Sequence, residues 1–289
     1  MTPRYPVYII SKGRSTCCLT AKILRTDGVP FCLVIEPQEA DLYVEQFDRS
    51  LFLILPFSNL GLGSIPARNW VWEHALSSGE ERHWIIDDNI QAWYRRVNGI
   101  RIPCNAKIAL AAIEDFADRY QNVAIAGCGY EMFLPEGTQV PPFIKNAHVY
   151  SNNLILNRLP YRWRGRYNED TDLCLQVLAG GWCTVQVMAF LVKKTASMKM
   201  HGGNSAELYK GDGRLKMARS LERLWPGVVS VARRYGRPQH IVNWTKFDTQ
   251  LKLKPGVVID PMPNEYGMKL TQVKPIKSEI IRELFNQQI

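Results

Sequence analysis

Four short stretches carry side chains that could do chemistry. The first, Trp84-Ile85-Ile86-Asp87-Asp88-Asn89, is an apolar run ending in two acids and an amide. Adjacent carboxylates at a strand end can grip a divalent cation and a ribose together, and hard oxygen ligands suit Mg2+ or Mn2+. Such a cation would hold both phosphates of a nucleoside diphosphate and offset their charge as that group leaves. The same residue types are also common in solvated strand-end turns.

The second stretch is Asn168-Glu169-Asp170-Thr171-Asp172-Leu173, three acids opening a helical pattern. Acids suit the first turn of a helix and Asn168 can cap it. A carboxylate here can also take the proton of an acceptor hydroxyl, with Asp170 the first choice and Glu169 the substitute. The third is His201, followed by Gly202-Gly203, where backbone can approach a ligand closely and a neutral imidazole can complete a metal shell. The fourth is Pro66-Ala67-Arg68-Asn69 at a helix start. There Arg68 can pair with phosphate and Asn69 can read a base edge or a ribose, or both can be ordinary exposed helix residues.

Two aromatic-basic clusters adjoin the acids. Trp93, Tyr94, Arg95 and Arg96 follow the first acidic motif; Tyr161, Arg162, Trp163, Arg164 and Arg166 precede the second. Aromatics interleaved with arginine can stack on bases and hold phosphates, although the same aromatics can be core anchors. The 289-residue chain carries a formal charge of +9, which favours polyanionic partners. Its seven cysteines are odd in number and form no C-x-x-C pair, so they are expected to be reduced thiols in a cytoplasmic protein. No apolar stretch has the length of a signal peptide or a membrane span, and no membrane association is expected.

The elements that must position these residues alternate strand and helix over the first 90 residues. Strands are predicted at 7–11, 31–35, 52–55 and 83–86, with helices at 16–27, 41–47 and 67–75. This pattern indicates a mostly parallel, Rossmann-type sheet flanked by helices, whose ligands bind beyond the carboxyl ends of the strands. Lys12-Gly13-Arg14, Glu36 and Asp87–Asn89 all fall at such ends. Further on, helices are predicted at 106–120, 168–179, 208–224, 243–253 and 278–287, strands at 123–126, 147–156 and 183–192, and a loop at 131–146. Residues 233–238 read as a basic turn.

Taken together, these motifs resemble the GT-A nucleotide-sugar glycosyltransferases, and among them the TET-associated glycosyltransferases of bacteriophages. The resemblance runs over roughly residues 5–250. It rests on Ile10-Ser11-Lys12-Gly13-Arg14, Gly63-Ser64-Ile65-Pro66-Ala67-Arg68-Asn69, Ile86-Asp87-Asp88-Asn89 and Asn168–Leu173, with Trp182-Cys183-Thr184 and Tyr235-Gly236-Arg237 in agreement. It implies an α/β, GT-A-like domain over residues 1–225, with a basic C-terminal extension, 226–289, packed on it. It implies transfer of a sugar from a nucleotide-sugar, a UDP-sugar foremost, to a hydroxyl of 5-hydroxymethylcytosine in DNA, with Mn2+ or Mg2+ as cofactor.

By position, Asp87 would contact the ribose or the donor, and Asp88 would bind the metal, alone or with the oxygen of Asn89, where the motif has Asn in place of Asp. His201 would complete the metal shell and Asp170 would be the base of an inverting displacement. Lys12, Arg14, Glu36 and Arg68 would shape the nucleotide pocket. Trp93, Arg95, Arg162, Trp163 and Arg164 would line the DNA route. A GT-A transferase with a protein, polysaccharide or small-molecule acceptor, and a non-catalytic nucleic-acid-binding module, are the other readings compatible with these residues.

Overall fold

The computed structural model describes residues 2–195, 200, 202–203, 212–234 and 236–259. The first strands are short, apolar and largely buried: β1 (Val7–Ile10), β2 (Cys32–Ile35), β3 (Phe52–Ile54) and β4 (Arg82–Asp87). They lie parallel in the order β3-β2-β1-β4. Residues of β1 alternate between two cores, Val7 and Ile9 on one side and Tyr8 and Ile10 on the other, as a pleated strand with both faces covered requires.

Helices cover both sides. On one lie α1 (Leu19–Thr26), α2 (Ala40–Val44) and α4 (Ala106–Asp118), the last through Ala109, Leu110, Ile113 and Phe116. On the other lie α3 (Ile65–Ser77), through Val71, Trp72 and Ala75, and α5 (Glu169–Ala179), through Leu173, Leu175 and Val177. Pro66 stands in the first turn of α3, where its missing N–H costs nothing.

Past β4 the sheet becomes mixed. It continues through β9 (Asn152–Leu156), β7 (Val123–Tyr130), β10 (Cys183–Lys194), β5 (Ile90–Val97) and β6 (Ile100–Cys104), with the two-residue β8 (Ile144–Lys145) beside β10. The β7–β10 pair is parallel, whereas β9, β5 and β8 run against their neighbours, leaving most strands in one direction. The architecture is therefore a mixed α/β fold with a mostly parallel central sheet flanked by helices.

Several local expectations are corrected. The aromatic-basic segment after Asn89 is the β5–β6 hairpin, whose turn is Asn98-Gly99 with both residues at positive φ, 50° and 82°. Such turns match the twist of the strands they join. Residues 147–151 do not belong to a strand, and 243–253 holds only a single 3-10 turn at Trp244–Lys246. The basic turn near 236 joins a second hairpin, β11 (Val229–Arg234) and β12 (Arg237–Val242), packed on α6 (Gly213–Leu224). Leu221, Val229, Val242 and Trp244 share the core of α3 and α5, and Asn122 holds the following segment through Gln250 and Lys252. The predicted helix at 278–287 and the segment 208–211 lie outside the described residues. All seven cysteines are free, and no helix among the described residues is long and apolar enough to cross a membrane.

Candidate active site

The carboxyl ends of β1, β2, β4 and β10 open into a cleft of about 840 Å³, closed opposite by the start of α5, by α6 and by β12. Of the sequence-selected residues, Lys12, Arg14, Glu36, Arg68, Asp87, Asp88, Asn89, Glu169 and Asp170 line it together. The tip of β4 is fixed by buried Thr20, whose Oγ1 donates to the carbonyl of Asp87 and accepts from the amide of Ile90, while its own N–H reaches the carbonyl of Asp88.

Pinned in this way, the two acids face different partners. Asp87 accepts from Arg68 at 3.1 Å on one oxygen and from Lys194 at 2.5 Å on the other. Burial works to raise its pKa, but Lys194 and then Arg68 outweigh it and hold the carboxyl at about 2. Asp88 accepts from Ser11 at 2.7 Å and from Arg14 at 2.5 Å. Here burial prevails over Arg14 and Ser11 and the pKa is raised.

The acids of α5 arrive from the opposite wall. Asp170 lies 3.5 Å and Glu169 3.7 Å from the Arg68 guanidinium, and Asn153 donates to Asp170 at 3.3 Å. Burial pushes the Asp170 carboxyl up to about 7, against the pull of Arg68 and with Glu169 and Asp87 adding to the rise. A carboxylate in that range can accept a proton near neutral pH, which is what a general base needs. Asn168, expected to cap α5, instead takes a left-handed conformation and donates its amide to the Met217 carbonyl. Asp172, the third acid, is fully buried under Arg164, Trp225 and Gln176 and faces away from the chemistry.

The donor-side residues form a second knot. Both carboxylate oxygens of Glu36 accept from Lys12, at 2.8 and 2.9 Å, and one also accepts from the Asn59 amide and from Gln38. These contacts outweigh its burial, and its pKa is lowered. Gly202 and Gly203 fold over Lys12-Gly13-Arg14: the Gly203 amide donates to the Lys12 carbonyl, and a Cβ at Gly202 would stand 2.2 Å from the Gly13 carbonyl oxygen.

His201 lies outside the described residues, among which no group of three or more His, Cys, Asp and Glu could hold a metal. One oxygen among the residues present suits a hard cation: Oδ1 of Asn89, the residue after Asp88, is buried without a hydrogen-bond partner. An orphaned oxygen next to a buried acid has the right chemistry for Mg2+ or Mn2+, with further ligands needed from elsewhere.

Other expectations are corrected by burial and pairing. Trp93 and Trp163 are core residues, 1% and 2% exposed, and do not line a route for DNA. Arg68 lines the cleft, pairs with its acids and lies over the Trp163 ring at 4.5 Å. The Asn69 side chain is used up by the backbone of Trp163, at 2.8 and 2.9 Å, and reads nothing. Arg162 pairs with Glu73 and Arg164 with Asp172, and neither they nor Arg95 line the cleft. Besides Arg14 and Arg68, the cleft-lining arginines are Arg166, Arg214 and Arg237. The sequence reading missed Lys194. The register of β10 against β5 slips between Lys193 and Lys194, pairing them with Ala92 and Ile90 and passing over Gln91; such irregularities re-aim side chains near active sites.

No curated protein matches the chain. Among solved structures, one described as mannose-1-phosphate geranyltransferase from Thermus thermophilus aligns at 15% identity and a TM-score of 0.33, over 78% of this chain and 64% of that one. The chain thus spans 64% of the length of that protein. A family model described as TET-Associated Glycosyltransferase matches residues 5–203, a span that holds the cleft-lining acids, and the chain belongs to the TET-associated glycosyltransferases.

Proposed function

We propose that the protein transfers a sugar from a nucleotide-sugar, a UDP-sugar foremost, to the hydroxyl of 5-hydroxymethylcytosine in DNA, on a GT-A-type fold. The observation that carries the reading is Asp170: a half-buried acid whose desolvation raises it to about 7, across the cleft from the Asp87-Asp88 strand tip. In a single displacement the acceptor hydroxyl gives its proton to Asp170. Its oxygen bonds to the anomeric carbon, and the bond from that carbon to the diphosphate breaks with its electrons leaving on phosphate. One displacement inverts the anomeric centre.

Asp87, kept ionised by Lys194 and Arg68, accepts hydrogen bonds from hydroxyls of the ribose or the sugar. Lys12 and Glu36 form the end of the donor pocket, and Arg14 faces the phosphates. Asp88 and Asn89, with His201 from outside the described residues, are the residues that would hold a divalent cation. Bound there, it would neutralise charge on the leaving diphosphate.

The DNA acceptor is supported by Arg166, Arg214 and Arg237 along the cleft and by the net charge of +9. A cytosine within a duplex must leave the stack to reach a base set inside a cleft such as Asp170. The test is a screen of nucleotide-sugars against hydroxymethylated and unmodified DNA, with and without Mn2+, read by nucleoside mass spectrometry. Sugar on hydroxymethylated DNA alone is the expected result; transfer only to protein or small-molecule hydroxyls would overturn the acceptor assignment.

A further inference from the structure

Lys194 has no part in the reading of the motifs, yet it lines the cleft. Its Nζ is 2.5 Å from Asp87 and 2.7 Å from the Ser151 hydroxyl, with the side chain 15% exposed. Asp87 is held from its other oxygen by Arg68, and Arg68 continues to Asp170 and Glu169. The result is a ladder in which two cations serve three acids.

Arg68 is divided within that ladder. It donates a hydrogen bond to Asp87 at 3.1 Å, while its Nη1, 3.5 Å from Asp170, is buried and makes none. In a site of low dielectric, a cation shared between acids moves toward whichever is less neutralised. Lys194 neutralises Asp87. We propose that Lys194 is a positioning residue of the transfer reaction, which by satisfying Asp87 leaves Arg68 to orient the Glu169–Asp170 pair. The inference rests on Asp170 acting as the base in the reaction proposed above.

The charged and titratable groups around Asp170 are Arg68 from α3, Asp87 from β4, Lys194 from β10, Tyr150 ahead of β9, and Glu169 and Cys174 on its own helix. Burial raises Asp170; Arg68 most and Lys194 less oppose that rise. Loss of Lys194 removes one opposing charge directly. It also draws Arg68 toward Asp87, weakening the other. Both effects raise Asp170 further.

The test follows the Asp170 carboxyl by carbon NMR, with the resonance assigned through D170N. Replacement K194M is expected to raise its midpoint by about one unit or more, while K194R keeps it near the native value. In a D87N background, where Arg68 has no reason to move, the K194M shift should be clearly smaller. Equal shifts in both backgrounds, or no shift at all, would overturn the positioning role. If K194M does not fold, K194Q, which retains a hydrogen bond to Asp87, serves in the same cycle.

The NMR midpoint needs no turnover, so it stands apart from the transfer reading. Failure of that reading shows instead as native enzyme inactive with every donor and acceptor. Where activity is found, the kcat–pH midpoint should move with the NMR midpoint.

Discussion

Arg68 and Asp170 face each other across the cleft at 3.5 Å, an ion pair in which the guanidinium nitrogen nearest the acid makes no hydrogen bond. Burial, with Glu169 and Asp87 adding to it, outweighs the attraction of Arg68 and Lys194 and puts the Asp170 pKa at about 7. That geometry joins the two halves of the site, since the same arginine also holds the strand-end acid Asp87.

The pH behaviour follows. A base must be ionised to accept a proton, so kcat should rise with pH through about 7 and level off above it. D170N should lower kcat by about 10²–10⁴-fold and abolish that rise, with little change in donor KM. Steady-state rates from pH 5 to 9 check both; an unaltered profile in D170N would remove Asp170 from the chemistry.

The same shift has a sign for stability. Between its ordinary value of 3.8 and about 7, Asp170 binds more proton in the folded than in the unfolded chain. Its contribution to stability is therefore present at low pH and is lost as pH rises through about 7. The D170N protein should lack that loss, so its melting temperature relative to the native protein should increase from pH 5 to pH 8.

Removing Arg68 should be costly. Its side chain is 7% exposed and faces Asp87, Glu169 and Asp170, so R68A strips three partly buried acids of a shared cation, at a cost of about 3–5 kcal/mol. Urea unfolding gives the number. A loss confined to donor affinity, with stability intact, would mean that Arg68 serves phosphate after all.

Much of this was legible from types and spacing alone. Asp87-Asp88 ends an apolar strand, and in a parallel sheet such ends converge; that was enough to place the strand tip, Lys12, Arg14 and Glu36 in one cleft. Trp93 and Trp163 were not separable in this way, because an aromatic beside arginine looks the same whether it faces a ligand or the core. Burial decided it.

For cation binding, Mn2+ should bind the native protein in the presence of a nucleoside diphosphate, detected by loss of the free-ion paramagnetic resonance signal. D88N, which removes the charge facing Arg14, should reduce that binding by about tenfold or more. Undiminished binding in D88N would place the ion elsewhere.

The arginines should separate by location. R166A and R237A should weaken DNA binding and each reduce the log-log salt slope by about 1. R164A should instead lower thermal stability, because it deprives fully buried Asp172 of its charged partner, and should leave the salt slope unchanged. Fluorescence titrations at several salt concentrations, with melting curves, distinguish the two groups.

The sequence by itself determined the parallel half of the sheet, the strand-end acids, the acid-headed helix and the basic character, because periodicity and local chemistry are written in neighbouring residues. Tertiary structure alone decided the partners. Lys194 reaches Asp87 across 107 positions of chain. Arg68, at a helix start, joins acids from two walls. A charge in a closed cleft answers to every charge packed around it, and that arrangement exists only once the chain has folded.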